Sequence, residues 1–166
     1  MSQKIESLIL DQFAAMSASV GHCIDEWWII HKLRPALNPK EQDEIDATIQ
    51  DLIARKIITA DNKSGLLVMA LAQGGFDLIY PNDPDAARLK IRKSILKRFA
   101  NTQSRVGHYI DERWIIHTLV QSLNPREKLE VNSAIDALVA DGLITTDNRM
   151  SMTVLVLTQV GFDAIY

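Results

Sequence analysis

His22, Asp25, Glu26 and His31 fall within ten residues, and His108, Asp111, Glu112 and His117 repeat them. Two imidazoles and two carboxylates are side chains that can hold a divalent metal. The spacing matches neither HExxH nor a cysteine pair, and Asp25 stands where a helix-capping carboxylate is needed. Structural roles are therefore expected, with no metal and no cofactor. Cys23 beside His22 is the pairing a thiolate nucleophile uses. The matching position in the repeat is Tyr109, and no third orienting residue accompanies the pair, so Cys23 is expected to be a buried small residue. Gly74, Gly75 and Gly161 lack phosphate-loop spacing and read as turn or close-packing positions. No Ser-His-Asp set or cleft of paired acids is evident. The expectation is a binding protein, not an enzyme, with no small-molecule substrate.

The elements that position these residues occur twice. A shift of 86 superposes the halves without a gap, and 37 of 80 aligned positions are identical. VGHCIDEWWIIHKL faces VGHYIDERWIIHTL, and LNPKEQDEI faces LNPREKLEV. Two copies are too few for a solenoid, so each should hold its own small core. The expected domains are 1–80 and 87–166, joined by a linker at 81–86 that contains PNDPD. The net charge of −3 divides unevenly: −4 over 1–80, −2 over the linker and +3 over 87–166. A polyanion should prefer the second copy.

In the first copy, Ile5, Leu8, Ile9, Phe13 and Met16 recur at helical spacing, predicting a helix over 3–17. Val20–Ile24 reads as an extended bridge. Asp25 caps a second helix over 26–34, which Pro35 ends. Asn38, Pro39 and Glu41 form a capping-box start for a third helix, as do Asn124, Pro125 and Glu127. Its buried stripe is Ile45, Ile49, Leu52 and Ile53. Gly142 supplies a left-handed C-terminal residue, and Lys56 holds that place under strain. A hairpin then runs from a strand at 57–60 through a turn at Asp61–Gly65 to a strand at 66–71. A short helix over 73–79 closes the copy, and Thr158 can cap its counterpart.

The fold class expected is mostly α with small β-hairpins. Three helices followed by a hairpin, with the phrase GLITTDN…LTQVGFDAIY, resembles the winged-helix fold over both copies. The resemblance implies two tandem winged-helix domains and a non-enzymatic binding role. The leading expectation is a regulator-like, DNA-associated factor, with protein adaptor as the alternative.

In winged-helix regulators that bind DNA, the third helix enters the major groove and the hairpin tip touches phosphate or the minor groove. The acids Glu41, Asp43, Glu44, Asp46 and Asp51 make the first copy unsuited to that role. Arg126, Lys128, Asn132, Ser133 and Arg149 are the nucleic-acid candidates of the second copy, with Arg113 as a phosphate or carboxylate contact. The basic first helix, with Arg88, Lys90, Arg92, Lys93, Lys97 and Arg98, lies alongside them or pairs with the acidic half. Trp27, opposite Arg113 in the repeat, and Leu129, opposite Asp43, are protein-interface candidates.

The strands Leu66–Leu71 and Met152–Leu157 barely alternate, so they are expected to need cover on both faces. Another wing, in the same chain or in a homodimer, is the expected cover, with a flanking loop as the alternative. Leu67, Met69, Thr153 and Leu155 are the interface candidates there. The longest apolar run, Leu66–Ala72, is far short of the ~18 residues of a membrane span. MSQKIESLILDQF lacks a signal-peptide core, and the single cysteine allows no internal disulfide. A cytoplasmic protein with no membrane contact is expected.

Overall fold

A computed structural model describes residues 2–63, 66–149 and 151–166. The protein is a mixed α/β chain that divides into two compact units, Met1–Pro81 and Asn82–Tyr166.

In the first unit, α1 (Gln3–Ala15) buries Ile5, Ile9 and Phe13 on one stripe. β1 (Cys23–Asp25) follows, and the Asp25 carboxylate accepts the Trp28 N–H at the start of α2 (Glu26–Trp28). The helix does not stop at Pro35. It widens to a π turn over Ile29–Leu33 and tightens to a 3-10 turn over Arg34–Ala36. The expected third helix is two pieces, α3 (Pro39–Gln42) and α4 (Ile45–Ala54). Its capping box is complete: the Asn38 side chain accepts the Glu41 N–H, and Glu41 accepts the Asn38 N–H. Ile45, Ile49 and Leu52 are buried as expected, Ile53 only half so.

β2 (Ile58–Lys63) and β3 (Leu66–Leu71) form the hairpin. Asp61 and the two residues after it belong to β2 rather than to the expected turn. Ser64 and Gly65 lie outside the described residues. β3 is the centre of an antiparallel sheet of order β1-β3-β2, because Cys23–Asp25 pairs with Val68–Ala70. α5 (Gln73–Ile79) closes the unit.

The second unit repeats this order: α6 (Pro84–Asn101), β4 (Tyr109–Asp111), α7 (Glu112–Trp114), a π turn over Ile115–Leu119, a 3-10 turn over Val120–Ser122, α8 (Pro125–Leu129), α9 (Val131–Ala140), β5 (Ile144–Arg149), β6 (Met152–Leu157) and α10 (Gln159–Ile165). Its sheet order is β4-β6-β5. Pro84, expected in the linker, is the first residue of α6, where a missing N–H costs nothing. The Thr158 hydroxyl caps α10 by accepting the Gly161 N–H.

Each unit has its own core. In the first, Phe13, Leu33, Leu52 and Met69 gather; in the second, Phe99, Leu119, Leu138 and Leu155. Among the described residues, no helix is long and apolar enough to cross a membrane.

Candidate functional site

The pairing registers explain the apolar central strands. Met69 and Leu71 face the core of the first unit, and Leu155 and Leu157 that of the second. Met69 is 0% and Leu155 1% exposed, so neither is free to meet another wing. Leu67 packs half-buried against the first core. These positions were expected to seek another ribbon because strands that barely alternate need cover on both faces. The third strand, β1 or β4, makes each sheet a layer on its own helices.

Val154 lies on the opposite face of β6, and yet it is only 1% exposed. Its cover comes from the same unit. Tyr109 of β4 stands opposite Val156, and Arg149 of β5 stands opposite Met152. The two side chains approach diagonally from either edge of the sheet, and the guanidinium carbon lies 4.9 Å from the centre of the Tyr109 ring. The register sets Val154 between Met152 and Val156 on that face, so a contact joining the two edges must cross above it. Arg149 Nε also donates to Asp147 at 3.0 Å. That bond, with the Asn148 N–H second, holds the Asp147 carboxyl below its usual range. Arg149 is thus a cover and an ion-pair partner. In the first unit Cys23 stands in place of Tyr109, and Leu66 is exposed.

Three of the six cations of α6, Arg88, Lys90 and Arg92, pair with carboxylates inside their own unit. Lys90 Nζ donates to both oxygens of Glu127 at 2.8 and 2.9 Å. Arg88 pairs with Asp85 and Glu130, and Arg92 with Asp141. The first unit repeats one tie, Lys4 to Glu41 at 2.9 Å, and Arg55 joins Glu6 and Asp51. A phosphate would have to displace these carboxylates to use Arg88, Lys90 or Arg92.

Four of the sequence candidates meet at one place. Lys128, Asn132, Thr153 and Leu155 line a cavity of about 430 Å³ between α8, the start of α9 and the β5–β6 hairpin. Ile115, Val131, Ile135 and Leu155 supply aliphatic walls. Glu112, Lys128, Asn132, Thr146 and Thr153 supply polar groups. Ile116, from the π turn, lines it too and is 45% exposed. Sequence reasoning missed the Ile115–Ile116 wall, because a regular helix was expected there and the π turn changes which side chains face the hairpin. Leu129, next to Lys128, is 74% exposed.

The remaining candidates lie outside this cavity. Ser133 and Arg113 are exposed, and Arg126 is half-buried. Trp27 is 58% exposed, and its ring centre lies 4.7 Å from that of His31 with the planes tilted by 38°. His31 is itself exposed and lies against Trp27. Cys23 is also exposed, not buried, and its thiol donates to the Gly21 carbonyl at 3.3 Å. The His22 Nδ1 accepts the Ser19 N–H at 3.3 Å. Among the described residues, no group of three or more His, Cys, Asp or Glu side chains gathers where a metal could bind. Comparison of the chain with protein-family models, with curated proteins and with solved structures finds no match.

Proposed function

We propose that this chain is a non-enzymatic tandem winged-helix protein, and that its second unit binds a segment of another protein in the groove between α8–α9 and the β5–β6 hairpin. The observation that supports this most is the aliphatic wall of that groove, formed by Ile115, Ile116, Val131, Ile135 and Leu155. A cavity of about 430 Å³ has room for one or two large side chains. Ile116, 45% exposed, extends the apolar surface of the groove to solvent, where apolar area gains most from a partner. Asn132, Thr146 and Thr153 offer donors and acceptors for a peptide backbone, and Glu112 and Lys128 place one charge of each sign in the groove. The partner is thus a short segment that presents an aliphatic or aromatic side chain flanked by polar residues.

DNA contact by the same unit is the second reading. It is favoured by Lys128 and Asn132, residue types that meet phosphate and adenine edges, on the start of the helix pair. It is opposed by the paired cations of α6.

Selection of random peptides on the full chain tests the proposal. Enrichment of peptides that share an apolar residue, with binding lost in Ile116→Asp and insensitive to salt, is the expected result. No enrichment, together with duplex DNA binding that falls steeply between about 50 mM and about 200 mM salt and weakens in Arg126→Ala/Lys128→Ala, would overturn it.

A further inference from the structure

A second cavity, of about 370 Å³, lies in the second unit between the end of α6, β4 and the edge of β5. It is lined by Arg98, Thr102, Ser104, His108, Tyr109, Asp111, Trp114 and Arg149, among others. Its chemistry differs from that of the groove. Two guanidiniums each lie against an aromatic ring: Arg98 is 5.6 Å from the Trp114 centre, and Arg149 is 4.9 Å from that of Tyr109. A guanidinium laid on a ring keeps its opposite face for another flat group and its edge N–H donors for an anion. Arg88 and Arg92 of the same helix have carboxylate partners. Arg98 has none among the described residues, and it is the α6 arginine that lines the cavity.

The repeat supplies an internal control. The scaffold of the cavity is common to both units: Gly107, His108, Ile110, Asp111 and Trp114 match Gly21, His22, Ile24, Asp25 and Trp28. The groups that could hold a ligand are not. Arg98, Thr102, Ser104 and Tyr109 face Gln12, Met16, Ala18 and Cys23. A shared scaffold carrying a cationic, hydroxyl-bearing and aromatic set in one unit only is the pattern of a binding site added to a fold.

We propose that this cavity binds a small planar anion, a single flat ring that carries a carboxylate or phosphate. The anionic group meets the edge of Arg98, and the ring lies against the guanidinium and Tyr109 faces. The Asp111 carboxylate, whose Oδ1 already accepts the Trp114 N–H at 3.0 Å, repels a second negative charge and so restricts the ligand to one anionic end. The volume is at the lower end for small-ligand pockets, which fits one ring and excludes larger cofactors.

Calorimetric titration of the full chain with benzoate and with uridine monophosphate tests this. Cyclohexanecarboxylate, which lacks the flat ring, and uridine, which lacks the anion, are the controls. At least one of the two planar anions should saturate the chain at one per molecule while its control does not. Arg98→Gln and Tyr109→Cys, which install the residues of the first unit, should each weaken binding about tenfold or more. Saturation by neither anion, equal binding by the controls, or undiminished binding by Arg98→Gln in a chain with an unchanged circular dichroism spectrum would overturn the proposal.

Discussion

Lys90 and Glu127 join the first helix of the second unit to the start of its third, with Nζ 2.8 Å and 2.9 Å from the two carboxylate oxygens. The same carboxylate accepts the Asn124 N–H at 2.9 Å, so the residue that completes the capping box also anchors α6. Lys4, Glu41 and Asn38 repeat the arrangement in the first unit.

This tie makes the first unit sensitive to acid. The Lys4 hydrogen bond, and then the Asn38 N–H, hold the Glu41 carboxyl below its usual range. A depressed folded pKa gives stability that is fully present above the unfolded value, ~4.3, and is lost as pH falls through the folded one. The urea midpoint of the first unit should drop between about pH 5 and about pH 3, and Glu41→Gln should make that drop shallower. Equal slopes in the two proteins would contradict the assignment.

Lys56 has φ 58° at the end of α4, and Gly142, at the matching place in the second unit, has φ 71°. A side chain in this left-handed region costs energy that glycine does not. Lys56→Gly should therefore stabilise the first unit by about 0.5–1 kcal/mol, seen as slower amide exchange in α4. The exposed position removes packing as a competing effect.

Gly161 is fixed for a different reason. A Cβ there would lie 2.0 Å from the Leu143 carbonyl oxygen and 2.8 Å from Leu157 Cδ1. At Gly75 the nearest atom is the Ile57 carbonyl oxygen, at 2.3 Å. Because backbone must move, Gly161→Ala should destabilise the second unit by about 2–3 kcal/mol or more, measured by thermal melting. A change within about 0.5 kcal/mol would show that α10 does not press on the hairpin base as described.

The bridge of Tyr109 and Arg149 over Val154 gives a further test. Tyr109→Cys should uncover Val154 and lower the stability of the second unit by about 1–2 kcal/mol. The amide protons of β6 should exchange faster than in the parent. Unchanged exchange would mean that the bridge contributes no cover.

Much of this fold was legible in the residues. Asn38, Pro39 and Glu41, with their counterparts, announce a helix start because the capping box is a local hydrogen-bond pattern. Phe13 and Ile9 give the first buried stripe by spacing alone. The third strand of each sheet was harder to read. Val20–Ile24 reads as an extended bridge and Asp25 as a cap, because the pairing of Cys23–Asp25 with Val68–Ala70 is set by contacts distant in the chain. The expectation of an external cover for Met69 and Leu155 came from strands that barely alternate, and the units bury both residues themselves. The groove was half legible: Lys128, Asn132, Thr153 and Leu155 were singled out for separate roles. Their convergence with Ile115 and Ile116 depends on the π turn, and no residue type in IIHTL marks one.

The groove is tested most directly by methyl NMR of the full chain, titrated with a peptide enriched in the selection described above. The account predicts that the methyl signals of Ile115, Ile116, Ile135 and Leu155 shift together and saturate, and that Ile116→Asp abolishes the shifts. Shifts that leave these methyls unmoved while a different surface responds would contradict it.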